Sequence, residues 1–182
     1  MPRLTRIYTR TGDEGSTGLA DGSRLRKDSA RIDAIGDIDE LNSVIGLLRT
    51  HTGKEAEIDA MLFSLQHRLF DIGGELALPG HSIAADSWVE RLEHWLDSLN
   101  EALPPLQEFV LPGGNTAAAI AHQARAVCRR AERSLLRLSN TEAVNSATLK
   151  YLNRLSDLLF VIARVLARRN GGEEVTWKKG DH

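Results

Sequence analysis

Ile58-Asp-Ala-Met61-Leu62-Phe-Ser-Leu65-Gln-His-Arg-Leu69-Phe-Asp-Ile72-Gly-Gly-Glu-Leu76 carries apolar side chains at steps of three and four from residue 58 to residue 76. At about 100° per residue such a stripe lies on one helix face and has to be buried. Pro79-Gly80 ends it. The same period appears upstream in Ile38, Leu41, Ile45 and Leu48, stopping near Gly53. Downstream, Ser87 with Glu90 has the spacing of a capping box and opens a stripe of Trp88, Leu92, Trp95, Leu96 and Leu99, which Pro104-Pro105 stops. Phe109-Val110-Leu111-Pro112-Gly113-Gly114 reads as a short extended run and a glycine turn. Asn115 or Thr116 can cap a fourth helix that runs to about Leu138. Ser139 with Glu142 repeats the capping-box spacing ahead of a fifth helix, from about Val144 to Asn170, closed by Gly171-Gly172.

Five helices, short connections and little strand signal predict an all-α five-helix bundle with ferritin-like up-down packing and an irregular, Gly-rich N-terminal segment. One domain is expected over residues 1–182, divided into a loop segment 1–28, a bundle 29–172 and a tail 173–182. The tail is polar apart from Val175 and Trp177.

The bulk numbers exclude several classes. With 42% hydrophobic and 26% charged residues the composition is that of a soluble globular chain. A net charge of −2 gives no global field for nucleic acid or an anionic membrane. No stretch reaches the ~18 apolar residues of a membrane span, and residues 1–10 lack the apolar core of a signal peptide. The single cysteine, Cys128, permits no intrachain disulfide and fits a reducing compartment. Its two readings are a buried small hydrophobe or, among arginines, a thiolate.

Charge is uneven along the chain. From His122 to Arg169 there are nine arginines and one lysine against three acids. The densest part is Arg125-Ala-Val-Cys-Arg129-Arg130-Ala131-Glu132-Arg133. Positions 125, 129, 132 and 133 fall on one helix face, while Arg130 points about 100° away from Arg129. One glutamate cannot neutralise these guanidinium groups. A polyphosphate could, because arginine presents paired donors that match phosphate oxygens. A solvated basic face and a subunit interface are the competing readings.

A second anion candidate is Thr9-Arg10-Thr11-Gly12-Asp13-Glu14-Gly15-Ser16-Thr17-Gly18, with Lys27 shortly after. Glycines let backbone N–H groups turn toward a phosphate, and the hydroxyls add donors. It is not a Walker A loop, since no Gly-Lys-Ser/Thr follows. Paired with the arginine helix, it would make a nucleotide triphosphate site.

Other chemistries fail on spacing. A di-iron bundle needs Glu-x-x-His pairs, but His67, His94 and His122 follow Ser64, Arg91 and Ala119 by three. No zinc spacing and no nucleophile elbow occur.

The motifs together resemble the PduO-type ATP:cob(I)alamin adenosyltransferases, over nearly the whole chain. The resemblance rests on Tyr8-Thr9-Arg10-Thr11-Gly12-Asp13-x-Gly15 and on Asp39-Glu40-Leu41-Asn42-Ser43 with Ile45-Gly46. It continues in Phe109 to Gly114, Arg125 to Arg133, and Tyr151-Leu152-Asn153-Arg154-Leu155-Ser156-Asp157. It implies transfer of the 5′-deoxyadenosyl group of ATP to cob(I)alamin, with Mg²⁺ accompanying ATP, in a cytoplasmic homotrimer whose active sites lie between subunits. It implies that Thr9, Arg10, Thr11, Gly12, Thr17, Gly18 and Lys27 hold ATP, joined by Arg129, Arg130, Ala131, Glu132, Arg133 and Asn153. Arg125 would pair with Asp39 across the subunit boundary, and Phe109 would pack under the corrin ring and displace its lower axial ligand. The catalytic set is then Arg129, Arg133, Phe109, Asp39 and Arg125. No metal ligands can be named. A reductase and a cobalamin-dependent client enzyme are the further partners implied. Glu14 departs from a simple phosphate loop by placing an acid inside it. The same motifs would also serve a carrier that binds nucleotide or cobalamin without turnover.

Overall fold

The computed structural model describes residues 7–53 and 55–180. Residues 1–6 of the expected loop segment, residues 181–182 of the expected tail, and Lys54 lie outside them. A two-stranded antiparallel hairpin, β1 (Ser16–Gly18) and β2 (Arg24–Arg26), precedes five helices: α1 (Ala30–Arg49), α2 (Ala56–Ala77), α3 (Asp86–Glu101), α4 (Thr116–Ser139) and α5 (Ser146–Ala167). The all-α expectation therefore holds. The packing order is α2–α1–α4–α5–α3, so α4 lies between α1 and α5.

Burial follows the apolar stripes. Ile38, Leu41, Ile45 and Leu48 of α1 meet Ile58, Leu62, Leu65, Leu69 and Ile72 of α2. α5 is enclosed on most of its circumference, burying Leu155, Leu158, Leu159 and Ile162 among others. Each such side chain contributes about 1.5–3 kcal/mol of transfer free energy. α4 faces the core with small residues, Ala118, Ala121, Ala124, Cys128 and Ala131. This leaves its opposite face for charge. Cys128 is fully buried and donates to the Leu152 carbonyl at 3.2 Å. Burial pushes its thiol well above the usual range, so the small-hydrophobe reading is the correct one.

α1 begins at Ala30, next to the expected bundle start at residue 29, and reaches two turns ahead of its apolar stripe to bury Arg31. Arg31 donates to the Leu76 carbonyl at 2.6 Å and to Glu142 at 2.5 Å. Neither expected capping box forms. Ala85 occupies the N-cap of α3 without a side-chain bond, and Ser139 is the last residue of α4. Asn145 caps α5 instead, accepting from Ala147 N, while Glu142 is spent on Arg31. α5 stops at Ala167, and Arg169–Gly171 forms a 3₁₀ turn in which Asn170 takes a left-handed conformation with φ 55°. The tail is also more ordered than its composition suggests: Val110 bridges Thr176 in antiparallel fashion.

Candidate active site

Asn115 starts α4 by accepting from Ala118 N at 2.9 Å, and its amide donates to the Leu166 carbonyl at 2.7 Å. The cap thus sets both the start of the arginine helix and its register against α5. From that start the arginines separate by helical angle. Arg130 turns to α1, where it donates to Asp37 at 2.9 Å and forms a close ion pair with Glu40. The bonds from these two carboxylates push its guanidinium to a still higher pKa. Ser134 also donates to Asp37. Arg129 and Arg133 are exposed and make no salt bridge among the described residues. Glu132, between them, accepts from Asn153 of α5 at 3.0 Å. Ala131 is fully buried in the core and presents nothing to the helix's outer surface, against the expectation that it touches ATP.

Arg129 lines an open cleft of about 510 Å³ with Arg125, Arg154, Asp157, Leu96 and Phe160. Arg154 bridges Glu93 at 3.0 Å and Asp157 at 2.7 Å, tying α3 to α5 at the cleft wall. A second cavity of about 390 Å³ is lined by Phe109, Val110, Leu106, His122, Arg125 and Phe160. Arg125, Leu106 and Phe160 line both cavities, so the basic cleft and the aromatic cavity adjoin. Phe109 is 78% exposed and is not a core residue. Its ring meets Trp177 edge-on at 6.4 Å.

Two buried polar atoms beside that cavity, His122 Nδ1 and Arg125 Nε, have no hydrogen-bond partner among the described residues. Burial and the Arg125 charge lower the pKa of His122, which keeps the imidazole neutral. His122 was not singled out from sequence for this place. Its position three residues before Arg125 on α4 was the available signal.

The N-terminal loop is organised by Arg24, another residue the sequence reading passed over. Arg24 donates to Thr11 O at 2.7 Å and to Ser16 Oγ at 2.8 Å from β2. Thr9 and Thr11 share a hydroxyl hydrogen bond at 2.9 Å. A Cβ on Gly12 would lie 3.1 Å from Ser16 O and 3.2 Å from Lys27 Nζ, so the ammonium of Lys27 sits against the loop and glycine leaves it room. Arg10, at φ 63°, is in the left-handed region. Thr17 and Gly18 lie on β1 opposite Leu25 and Arg24. Glu14 is exposed.

The structure gathers Arg125, Arg129 and Phe109 along adjoining cavities and joins Glu132 to Asn153. It does not join the loop to them: among the described residues no hydrogen bond or salt bridge links residues 9–18 to Arg125, Arg129 or Arg133. Asp39 is exposed on α1 in a groove with Ile35, Asn42 and Phe70, and it makes no salt bridge with Arg125 within the chain.

Fold and site together define a five-helix bundle whose arginine face lies beside an exposed aromatic wall. The chain belongs to the cobalamin adenosyltransferase family, whose model matches residues 7–166. It is 56% identical over 177 residues to a cobalamin adenosyltransferase of Cupriavidus metallidurans, covering 97% of this chain and 96% of that one. It is 42% identical over 182 residues to the corrinoid adenosyltransferase of Bacillus subtilis, covering 96% and 93%. Among solved structures, a variant PduO-type ATP:corrinoid adenosyltransferase from Lactobacillus reuteri complexed with cobalamin and ATP superposes with a TM-score of 0.91. The two chains are 32% identical, and the match covers 96% of this chain and 97% of that one.

Proposed function

We propose that the chain transfers the 5′-deoxyadenosyl group of ATP to the cobalt of cob(I)alamin, giving adenosylcobalamin and triphosphate. The observation that carries this reading is Arg129, exposed, without a salt bridge among the described residues and lining a cleft that adjoins the Phe109 cavity, with Arg133 exposed and likewise without a salt bridge one turn further along α4. Uncompensated arginines next to an apolar wall suit a polyphosphate and a corrin ring at one place.

In this reading the cobalt(I) of the substrate attacks the ribose 5′ carbon. The new cobalt–carbon bond takes its electron pair from cobalt, and the carbon–oxygen bond breaks with its pair leaving on triphosphate. No activated serine or cysteine is required, since the nucleophile is the substrate. The protein's work is to align the carbon with cobalt and to stabilise charge on the leaving group. Arg129 and Arg133 bind the triphosphate. Arg130 holds α1 to α4 through Asp37 and Glu40 and so sets the direction of its neighbours. Glu132 and Asn153, already bonded to each other, border the nucleotide. Phe109 packs beneath the corrin ring and excludes the lower axial ligand, which makes reduction of cobalt(II) easier.

Thr9, Arg10, Thr11, Gly12, Thr17, Gly18 and Lys27 supply the other wall of the ATP site from a neighbouring copy of the chain, with Asp39 reaching Arg125 across the same boundary. A homotrimer with sites between subunits accounts for a loop and an arginine face that do not meet within one copy. Mg²⁺ would be carried by the ATP phosphates, as suits a hard cation that keeps several waters and takes one or two carboxylates. Among the described residues no group of three or more His, Cys, Asp or Glu gathers to hold it alone. Residues 1–28, 29–172 and 173–182 act as one domain. We place the protein in the cytoplasm, with a reductase supplying cobalt(I) and a cobalamin-dependent client as further partners. Among the described residues no helix is long and apolar enough to cross a membrane.

The deciding experiment is an anaerobic assay with ATP, Mg²⁺ and chemically reduced cob(I)alamin, following the visible spectrum. Adenosylcobalamin forming at a rate proportional to protein and dependent on ATP supports the reading. ATP binding without turnover would overturn it in favour of a carrier.

A further inference from the structure

Phe109 stands on residues 104–114, a segment outside every helix, and its placement depends on what that segment is fastened to. Leu111 N donates to Val175 O and Trp177 N donates to Phe109 O, both at 2.8 Å. Its backbone partner is therefore the C-terminal tail. At Gly114 the backbone has φ +99°, and a Cβ there would lie 3.2 Å from Ala167 Cβ, so the segment leaves closely packed against the end of α5.

The tail is itself held by one carboxylate. Glu174 accepts from Arg164 Nε at 2.5 Å and from Arg168 Nε at 2.7 Å. The side chains of Arg164 and Glu174 are only 3% and 5% exposed. Arg164 also donates to the Pro104 carbonyl at 2.8 Å. One buried guanidinium thus holds the start of the Phe109 segment and, through Glu174, the strand that pairs with its middle. A buried ion pair is poor value as a stabiliser, because desolvation offsets most of its Coulomb energy. What this one accomplishes is geometric: it clamps two irregular segments that bury little of their apolar surface, since Leu106, Phe109, Leu111, Val175 and Trp177 are all exposed.

We propose that Glu174 is a positioning residue for Phe109: its carboxylate, held between Arg164 and Arg168, fixes the tail strand that determines where the Phe109 ring stands. The inference rests on the reading of Phe109 as the residue beneath the corrin ring. Glu174 touches neither ATP nor corrin in this scheme and acts through the tail and through its partner Arg164, whose side chain also lines the far wall of the cleft. Losing its carboxylate should leave Arg129 and Arg133 in place and loosen the aromatic wall.

The test compares wild type, Glu174→Gln, Glu174→Asp and Phe109→Ala in the full chain. ATP affinity is measured by calorimetry. Cob(II)alamin bound with ATP is examined by electron paramagnetic resonance, where nitrogen superhyperfine splitting reports the lower axial ligand. The expected result for Glu174→Gln is near-wild-type ATP affinity, retention of the nitrogen splitting, and a fall in turnover on the order of tenfold, the scale of removing a support behind a site residue. Glu174→Asp should recover part of the wild-type spectrum. A wild-type spectrum and turnover in Glu174→Gln, beside an altered spectrum in Phe109→Ala, overturns the inference alone. An unaltered spectrum in Phe109→Ala overturns the reading of Phe109 and the inference with it. If Glu174→Gln does not fold, Glu174→Asp decides, since it keeps the charge but shortens its reach to Arg164 and Arg168: a partly retained nitrogen splitting supports the clamp, and a wild-type spectrum overturns it.

Discussion

Arg130 donates to Asp37 at 2.9 Å across the α1–α4 boundary, whereas Arg129, the residue before it, has no salt-bridge partner among the described residues. Adjacent arginines are split between two tasks by the 100° turn of a helix. One locks two helices together. The other leaves its charge available to a ligand.

Replacing them should separate these tasks. Arg129→Ala or Arg133→Ala should reduce kcat/KM by about 10²–10³-fold, the loss of one charge-stabilising clamp. Stability should change by no more than about 0.5 kcal/mol for such exposed positions. Arg130→Ala should do the reverse in part, lowering Tm more than either neighbour does because Asp37 and Glu40 lose their partner. Steady-state kinetics beside thermal melts checks this, and near-wild-type turnover in both Arg129 and Arg133 variants refutes their assignment.

Phe109→Ala should leave Tm almost unchanged, because the ring is 78% exposed. ATP affinity should also persist. Turnover starting from cob(II)alamin should fall further than turnover starting from chemically reduced cob(I)alamin. Equal losses from both starting states would argue against a role in removing the axial ligand.

Asp39 and Arg125 offer a test of the subunit boundary. Asp39→Arg and Arg125→Asp should each weaken assembly and activity. Mixing the two variants should restore some sites, since a mixed boundary can bring the exchanged charges together. Light scattering with an activity assay reads both effects, and a mixture no more active than its components would count against an inter-subunit pair.

Acid should destabilise the fold in two stages. His122 is held neutral by burial and by Arg125, so its folded pKa lies below the ordinary 6.5. As pH falls below about 6.5 the unfolded chain takes up a proton that the folded chain refuses, and stability drops until the depressed folded value is passed. Glu75 behaves as a depressed carboxylate. Burial pushes it up, but bonds from Thr148 at 2.6 Å and from Ile83 N at 2.5 Å, with Ala84 N and Asn145, outweigh that. Its contribution is complete above about 4.5 and is lost as pH falls through its lowered folded value. His122→Gln should flatten the upper stage and Glu75→Gln the lower. Urea titrations across pH 3–8 would show it, and unchanged slopes would refute the assignment.

The amino-acid sequence alone sets the helices and their inward faces. Stripes such as Ile58 to Leu76 and Ile38 to Leu48 have only one way to leave water, and Asn115 and the prolines punctuate them. It also determined which residues are chemically unusual, because the charge density of residues 125–133 is a property of the chain. What those residues do next depends on which elements pack beside them. Arg130 is committed to Asp37 and Arg129 is not, because α1 lies on one side of α4 and a cleft on the other. Glu142 carries a capping-box spacing yet pairs with a buried arginine over a hundred positions away. Phe109 looks like a core residue by type, but it is exposed, on a segment whose backbone pairs with a polar tail held by one buried carboxylate. Local periodicity records what a segment must hide from water. It carries no record of which distant charge or strand will be there to meet it, since long-range pairs form only after the chain has folded back on itself.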